Sequence, residues 1–165
     1  MVRRRALALR PINSVKNIVD STNLGVAAAT NTDVTVGSAV NAYTGAVTDI
    51  PIGAKVSRIY LFVQIQQQSV NSNVDWYFAK GPQDVFNTRP VPGSTGGSVQ
   101  RKFILHEEKG IPGPMNNGSP PLTFRGVIKI PRGRQRFAEG DKMWIRARGA
   151  AVYDMCVKCI YKFYQ

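Results

Sequence analysis

The sequence predicts an all-β domain of about eight antiparallel strands, arranged as a sandwich, jelly roll or barrel. Three observations carry that prediction. Alternating apolar and polar residues recur from end to end, no helical stripe lasts more than a turn or two, and two long stretches dense in Pro and Gly separate the alternating segments. The 165 residues suit one domain large enough to bury a core, and a hydrophobic content of 43% excludes a fully disordered chain. Apolar runs such as Ile59-Tyr60-Leu61-Phe62-Val63 are short. None nears the ~18 residues of a membrane-spanning helix, so no membrane partner is expected. The early arginines are followed by Pro11, Asn13 and Ser14 and not by an apolar stretch, so no secretory leader is expected either.

Taken in order, 14–21, 24–30 and 33–38 are β-prone but short. Gly53-Ala54-Lys55-Val56 opens the clearest early strand. There Ile59, Leu61, Val63 and Ile65 make an aliphatic face, while Arg58, Tyr60, Phe62, Gln64 and Gln66 make the other. Val74, Trp76 and Phe78 share a face in 74–79. Residues 80–97 hold four Gly and three Pro and predict a long loop. A strand over about 99–107 is less clean, because Arg101 shares its face with Phe103 and Leu105. A second Pro/Gly loop covers 109–121. Then 122–130 alternates Phe124, Ile128 and Ile130 with Arg125 and Lys129, and after a loop at 131–140 Met143, Ile145 and Ala147 are in phase. The last strand is the cleanest: Tyr153, Met155, Val157, Cys159, Tyr161 and Phe163 oppose Asp154, Lys158 and Lys162. A face this apolar belongs inside a sheet and packs against the faces of 59–65 and 74–78.

Charge is segregated. The chain carries a net +12, with +5 in residues 1–16 from Arg3, Arg4, Arg5, Arg10 and Lys16. Residues 17–99 are nearly neutral, and 100–148 carry eleven bases against four acids. Such a surface attracts polyanions, and counterion release from nucleic acid supplies free energy for binding. The arm has no apolar periodicity that folding would explain, so nucleic-acid contact is its leading reading, with solubilising charge or nuclear targeting as the others. Arginine suits the task because its planar fork bonds phosphate oxygens in pairs whatever the base sequence. Arg132, Arg134 and Arg136 alternate in the 131–140 loop and either contact nucleic acid or pair with acids across a subunit contact. Tyr60, Phe62 and Trp144 have two readings as well: stacking on bases, or packing under a loop or at an interface.

Catalytic and metal chemistry find little footing. Cys156 and Cys159 spell Cys-x-x-Cys, but in an alternating strand residues three apart face opposite ways, and His106 is the chain's single histidine. One buried and one outward thiol is the expectation, with no bound metal and no cofactor. No Ser-His-acid spacing or phosphate-cradling loop before a helix is present, so an enzyme is not expected.

Several segments resemble circovirus-like capsid proteins, the coats of small viruses with circular single-stranded DNA. They are Gly126-Val127-Ile128-Lys129-Ile130-Pro131-Arg132-Gly133-Arg134-Gln135-Arg136-Phe137 with Glu139, Gly140 and Asp141; Ala29 to Ser38 followed by Gly53 to Leu61; and Pro90-Val91-Pro92-Gly93-Ser94 leading into Lys102 to Glu108. The ordered set covers well over half the chain. The resemblance implies a viral jelly roll of two four-stranded sheets, a basic arm over 1–13 and a capsid domain over 14–165. It further implies sixty copies in a T=1 icosahedral shell around single-stranded DNA, located in the virion, with the host nucleus as an assembly site. The residues carried forward as nucleic-acid contacts are Arg3, Arg4, Arg5, Arg10, Lys16, Arg132, Arg134 and Arg136. Many relatives begin with a longer, denser basic arm, which here shifts packaging work onto the folded body. Sixty arms would bring about +300, fewer than the roughly 500 phosphates of this chain's own coding strand. A β-barrel that binds single-stranded nucleic acid without forming a shell is the alternative.

Overall fold

The computed structural model describes residues 14–68, 72–82, 91–93, 99–112, 118 and 120–165. Among the described residues, nine strands form two sheets. β1 (Ser14–Val26), β9 (Tyr153–Tyr164), β4 (Arg58–Gln67) and β7 (Leu122–Lys129) lie side by side in that order. The second sheet runs β3 (Asp49–Pro51), β2 (Asn31–Val40), β8 (Asp141–Gly149), β5 (Val74–Pro82), β6 (Ile104–Gly110). Leaving out β3, the antiparallel pairs include β1 with β9, β2 with β8, β4 with β7 and β5 with β6, and β4 with β9 and β5 with β8 complete the sheets. First pairs with last, second with second-to-last, and so inward: a long hairpin rolled into a sandwich. That topology is a jelly roll.

The core follows from the alternation. The face Tyr153, Met155, Val157, Cys159, Tyr161 and Phe163 is buried together with Ile59, Leu61, Val63, Ile65, Val74, Trp76 and Phe78 in one cluster. The Tyr161 hydroxyl crosses the sandwich and donates to the Val36 carbonyl at 2.8 Å, tying β9 to β2. Gly37 makes room beside it, since a Cβ there would stand 2.6 Å from Met143 Cε and 2.7 Å from Ile50 Cδ1. Cys159 is buried and Cys156 half-buried, as the alternation requires, and burial pushes the Cys159 thiol well above its ordinary range.

Four expectations are corrected. Residues 14–26 are one strand with an irregularity between Asn23 and Val26, and the expected segment at 24–30 is not separate. The second sheet has five strands, because β3 adds a short parallel pairing to Ser38, Ala39 and Val40. Strands reach into both expected loop segments, since β5 runs to Pro82 and β6 to Gly110. Finally, the expected strand at 99–107 is a 3-10 turn at Val99–Phe103 followed by β6. Phe103 lies against Gly81, where a Cβ would meet its ring at 2.9 Å, and with Ile104 it packs over Tyr77, Ala79 and Trp144. Burying that aromatic layer on the outer side of the sheet outweighs extending β6 by five residues.

Val157 is fully buried on β9 between Ser21 of β1 and Val63 of β4. Val157→Asp places an uncompensated charge there at a cost of about 3–5 kcal/mol. The expected outcome is loss of the cooperative thermal transition and of soluble protein, read by circular dichroism and sedimentation.

Candidate nucleic-acid interface

The outer face of the β1-β9-β4-β7 sheet is banded. Strand register places residues in rows across it, about 4.8 Å apart between strands and about 6.7 Å between successive rows. The first row is basic: Lys129 opposes Arg58, and Lys162 opposes Lys16. Arg58 and Lys162 line one groove with Tyr60, Ile160 and Tyr164. The second row is apolar: Val127, Tyr60, Ile160 and Ile18 stand opposite one another in turn. Tyr60 is 55% exposed, Val127 48% and Ile18 42%. The third row sets Arg125 against Phe62, Phe62 against Lys158 and Lys158 against Asp20. The Arg125 guanidinium sits 5.5 Å from the Phe62 ring centroid. Beyond it come Thr123, Gln64 and Cys156, and then Gln66 with Asp154. Charge therefore falls from strongly positive at one end of the sheet to neutral and acidic at the other.

The positive end also gathers the loop arginines. Lys55 bridges both Arg136 and Tyr164, and Ser14 pairs with Tyr164, so β1 begins beside the 131–140 loop. Arg132 and Arg136 are exposed there together with Lys55, and Glu139 is an exposed acid of the same loop. The loop is anchored from within. Buried Lys80 donates to Asp141 Oδ2 at 2.8 Å and to the Arg136 carbonyl at 3.1 Å, over the Phe137 ring at 4.3 Å. Asp141 also accepts the Ala138 amide at 3.0 Å. Arg134 turns the other way. Its guanidinium donates to the Lys102 carbonyl and to the Phe103 carbonyl at 3.4 Å, and partial burial lowers its pKa. Arg134 thus holds the turn that roofs Trp144.

On the other sheet's outer face two of the basic residues are held in ion pairs. Arg146 donates to both Asp33 oxygens at 2.8 Å; burial disfavours its charge, but the carboxylate more than offsets this and raises its pKa. Arg101 pairs with Glu107 at 2.6 Å. On the opposite, inner side of β6, at the sandwich edge, His106 meets Glu108 at 3.0 Å, with its ring 4.4 Å from Phe124 and 5.5 Å from Trp76. By contrast Arg58, Arg125, Lys129 and Lys162 make no ion pair with another described residue.

Of the residues singled out from sequence, Arg3, Arg4, Arg5 and Arg10 lie outside the described residues, as does the whole 1–13 segment. Lys16 is placed by register opposite Lys162, Arg132 and Arg136 face solvent at the same end, and Arg134 is engaged with the 99–103 turn. Tyr60 is outward and exposed, while Phe62 is half-buried. The base-stacking reading of Trp144 is corrected: it is fully buried under Phe103 and Ile104. Sequence reasoning missed Arg58, Lys129, Lys158 and Lys162 as one group. Each looked like an ordinary outward residue of its own strand, and only register assembles them. Among the described residues no group of His, Cys, Asp and Glu could hold a metal ion, and no helix is long and apolar enough to cross a membrane.

The strands define an eight-strand jelly roll with one added strand and one basic outer face. No protein-family model and no curated protein sequence matches the chain. Among solved structures, a chain of turnip yellow mosaic virus aligns over 93% of this chain and 94% of its own at 13% identity, with a TM-score of 0.39. A likeness at that level assigns no function.

Replacing both Arg58 and Lys129 with Gln is expected to weaken binding of single-stranded DNA. The slope of log affinity against log salt should become shallower by about 0.7 per residue removed. Lys109→Gln on exposed β6 removes one charge from the other sheet and should leave the slope unchanged. Anisotropy titrations across a salt series check both.

Proposed function

We propose that this chain is a viral coat protein whose jelly-roll subunit self-assembles and packages nucleic acid through Arg and Lys contacts that ignore base sequence. The observation that carries the reading is the asymmetry of the two broad faces. One is cationic and continuous with the start of β1, into which the 1–13 segment leads; on the other, Arg146 and Arg101 are each held in an ion pair with a carboxylate of the same chain. A subunit built this way has a side suited to a polyanion and a side suited to water or neighbours. Phosphate contacts position a strand without selecting its sequence, which is what packaging requires. The role is that of a building and binding element rather than a catalyst.

The resemblance noted above supplies the finer terms of the proposal: a T=1 shell of sixty subunits, a single-stranded DNA genome, and a virion location with nuclear assembly. The residues doing the packaging are the arm arginines Arg3, Arg4, Arg5 and Arg10 together with Lys16, Arg132 and Arg136, joined by Arg58, Arg125, Lys129 and Lys162. Arg134 is assigned a structural part. The exposed Tyr60 also suits the second reading, a single-strand-binding protein that forms no shell.

Sizing of the purified chain separates the two. A shell of 18.1 kDa subunits elutes at the mega-dalton scale, and a monomer or small oligomer overturns the shell. Changing Arg3, Arg4 and Arg5 together to Ala should leave the subunit folded and lower the nucleic acid carried per subunit. The ratio of ultraviolet absorbance of nucleic acid to protein measures this, and an unchanged ratio assigns packaging to the body alone.

A further inference from the structure

The apolar row, with a basic row on one side and Arg125 and Lys158 in the row on the other, has no place in a surface built only to neutralise phosphate. Tyr60, Val127 and Ile18 are large, exposed, and held side by side on neighbouring strands, with Ile160 between. The row spans about 14 Å across the sheet, with cations about 6.7 Å away on each side. A contiguous apolar strip rimmed by polar groups marks a contact site. We infer that this strip is a base-stacking platform, with Tyr60 as its central ring, and that the face therefore takes single-stranded nucleic acid in preference to duplex. The inference rests on the nucleic-acid part of the proposed function and not on the shell.

The chemistry selects the occupant. A duplex presents phosphates outward and keeps its base faces stacked inside, so it can satisfy the basic rows but leaves Tyr60 uncovered by any flat apolar surface. A single strand offers both parts at once: phosphates for Arg58, Lys129 and Arg125, and an unpaired base face for the tyrosine ring. The groove lined by Tyr60, Phe62, Arg125, Val127, Lys158 and Ile160 is open along the sheet, so a strand can run across it without ends being captured. The Arg125 guanidinium over Phe62 adds a second flat, cationic platform one row further on. A second copy of this chain is disfavoured on the same face, because each copy carries a net +12 and would bring cations to cations.

The test uses the full-length chain, a labelled oligothymidylate and a blunt duplex with the same number of phosphates. The wild type should bind the single strand more tightly than the duplex at every salt concentration. Tyr60→Ala should lose roughly fivefold or more in affinity for the single strand, with little change for the duplex. Its salt slope should stay that of the wild type, since no phosphate contact is removed. Tyr60→Phe keeps the ring and should bind as the wild type does, whereas Tyr60→Leu keeps apolar bulk without a flat face and should behave like the alanine variant. Thermal melting of each variant confirms that the fold is intact. Equal affinity for single strand and duplex, or a Tyr60→Ala variant that binds like the wild type, overturns the platform while leaving phosphate-driven packaging standing. Failure of the wild type to bind either probe at low salt overturns the nucleic-acid reading itself.

Discussion

The pleat of β9, held between β1 and β4, sets almost everything else. Successive side chains on a strand point to opposite faces, so one run from Tyr153 to Tyr164 lays down half the core floor and, in the gaps, Lys158, Ile160 and Lys162 outside. Because β9 has a neighbour on each side, both flanking strands must keep register with it. A slip of one residue would drive the lysines into the core and Val157 into solvent. The buried face makes that slip costly, and the basic rows therefore inherit their alignment from hydrophobic packing. The candidate interface borrows its alignment from the core.

The same constraint explains the contrast between the two outer faces. The face of β1, β9, β4 and β7 is left open, so its cations and apolar residues meet solvent. The outer side of the second sheet is partly roofed by the 99–103 turn, which buries Trp144 and Tyr77 and brings the Arg101–Glu107 pair close by. Arg134, reaching from the 131–140 loop to carbonyls of that turn, links the roof to the cationic end of the molecule. Lys80, buried, and Asp141, nearly so, fix the loop from beneath through their ion pair and hydrogen bonds to the Arg136 carbonyl and the Ala138 amide. Breaking one partner would strand the other charge, so the pair serves the loop's position more than global stability.

Much of the fold was legible because one-sided antiparallel strands write their burial directly as alternation. β4, β7, β8 and β9 and their core residues follow from the pattern alone. What escaped depended on tertiary choices. Three residues at Asp49–Pro51 are too few to show a period, and nothing local distinguishes Phe103 in a strand from Phe103 folded over Gly81. Trp144 shows the same limit: an outward position becomes the most buried of sites once another segment covers it. The candidate interface was less legible than the fold. Lys16, Arg58, Lys129 and Lys162 are scattered across the chain and meet only when four strands pair in the order β1, β9, β4, β7. The start of β1 and the 131–140 loop meet through register alone: Ser14, Tyr164, Lys55 and Arg136 are joined in one chain of backbone pairings.

The central claim is that the open face of the β9 sheet is the nucleic-acid side of the subunit. Ultraviolet cross-linking of the purified chain with its bound nucleic acid, followed by peptide mapping, tests it most directly. The account predicts cross-links in peptides from β4, β7 and β9, concentrated at Tyr60 and Phe62. Cross-links concentrated instead on β5, β6 and β8, around Arg101, Glu107 and Arg146, would contradict it.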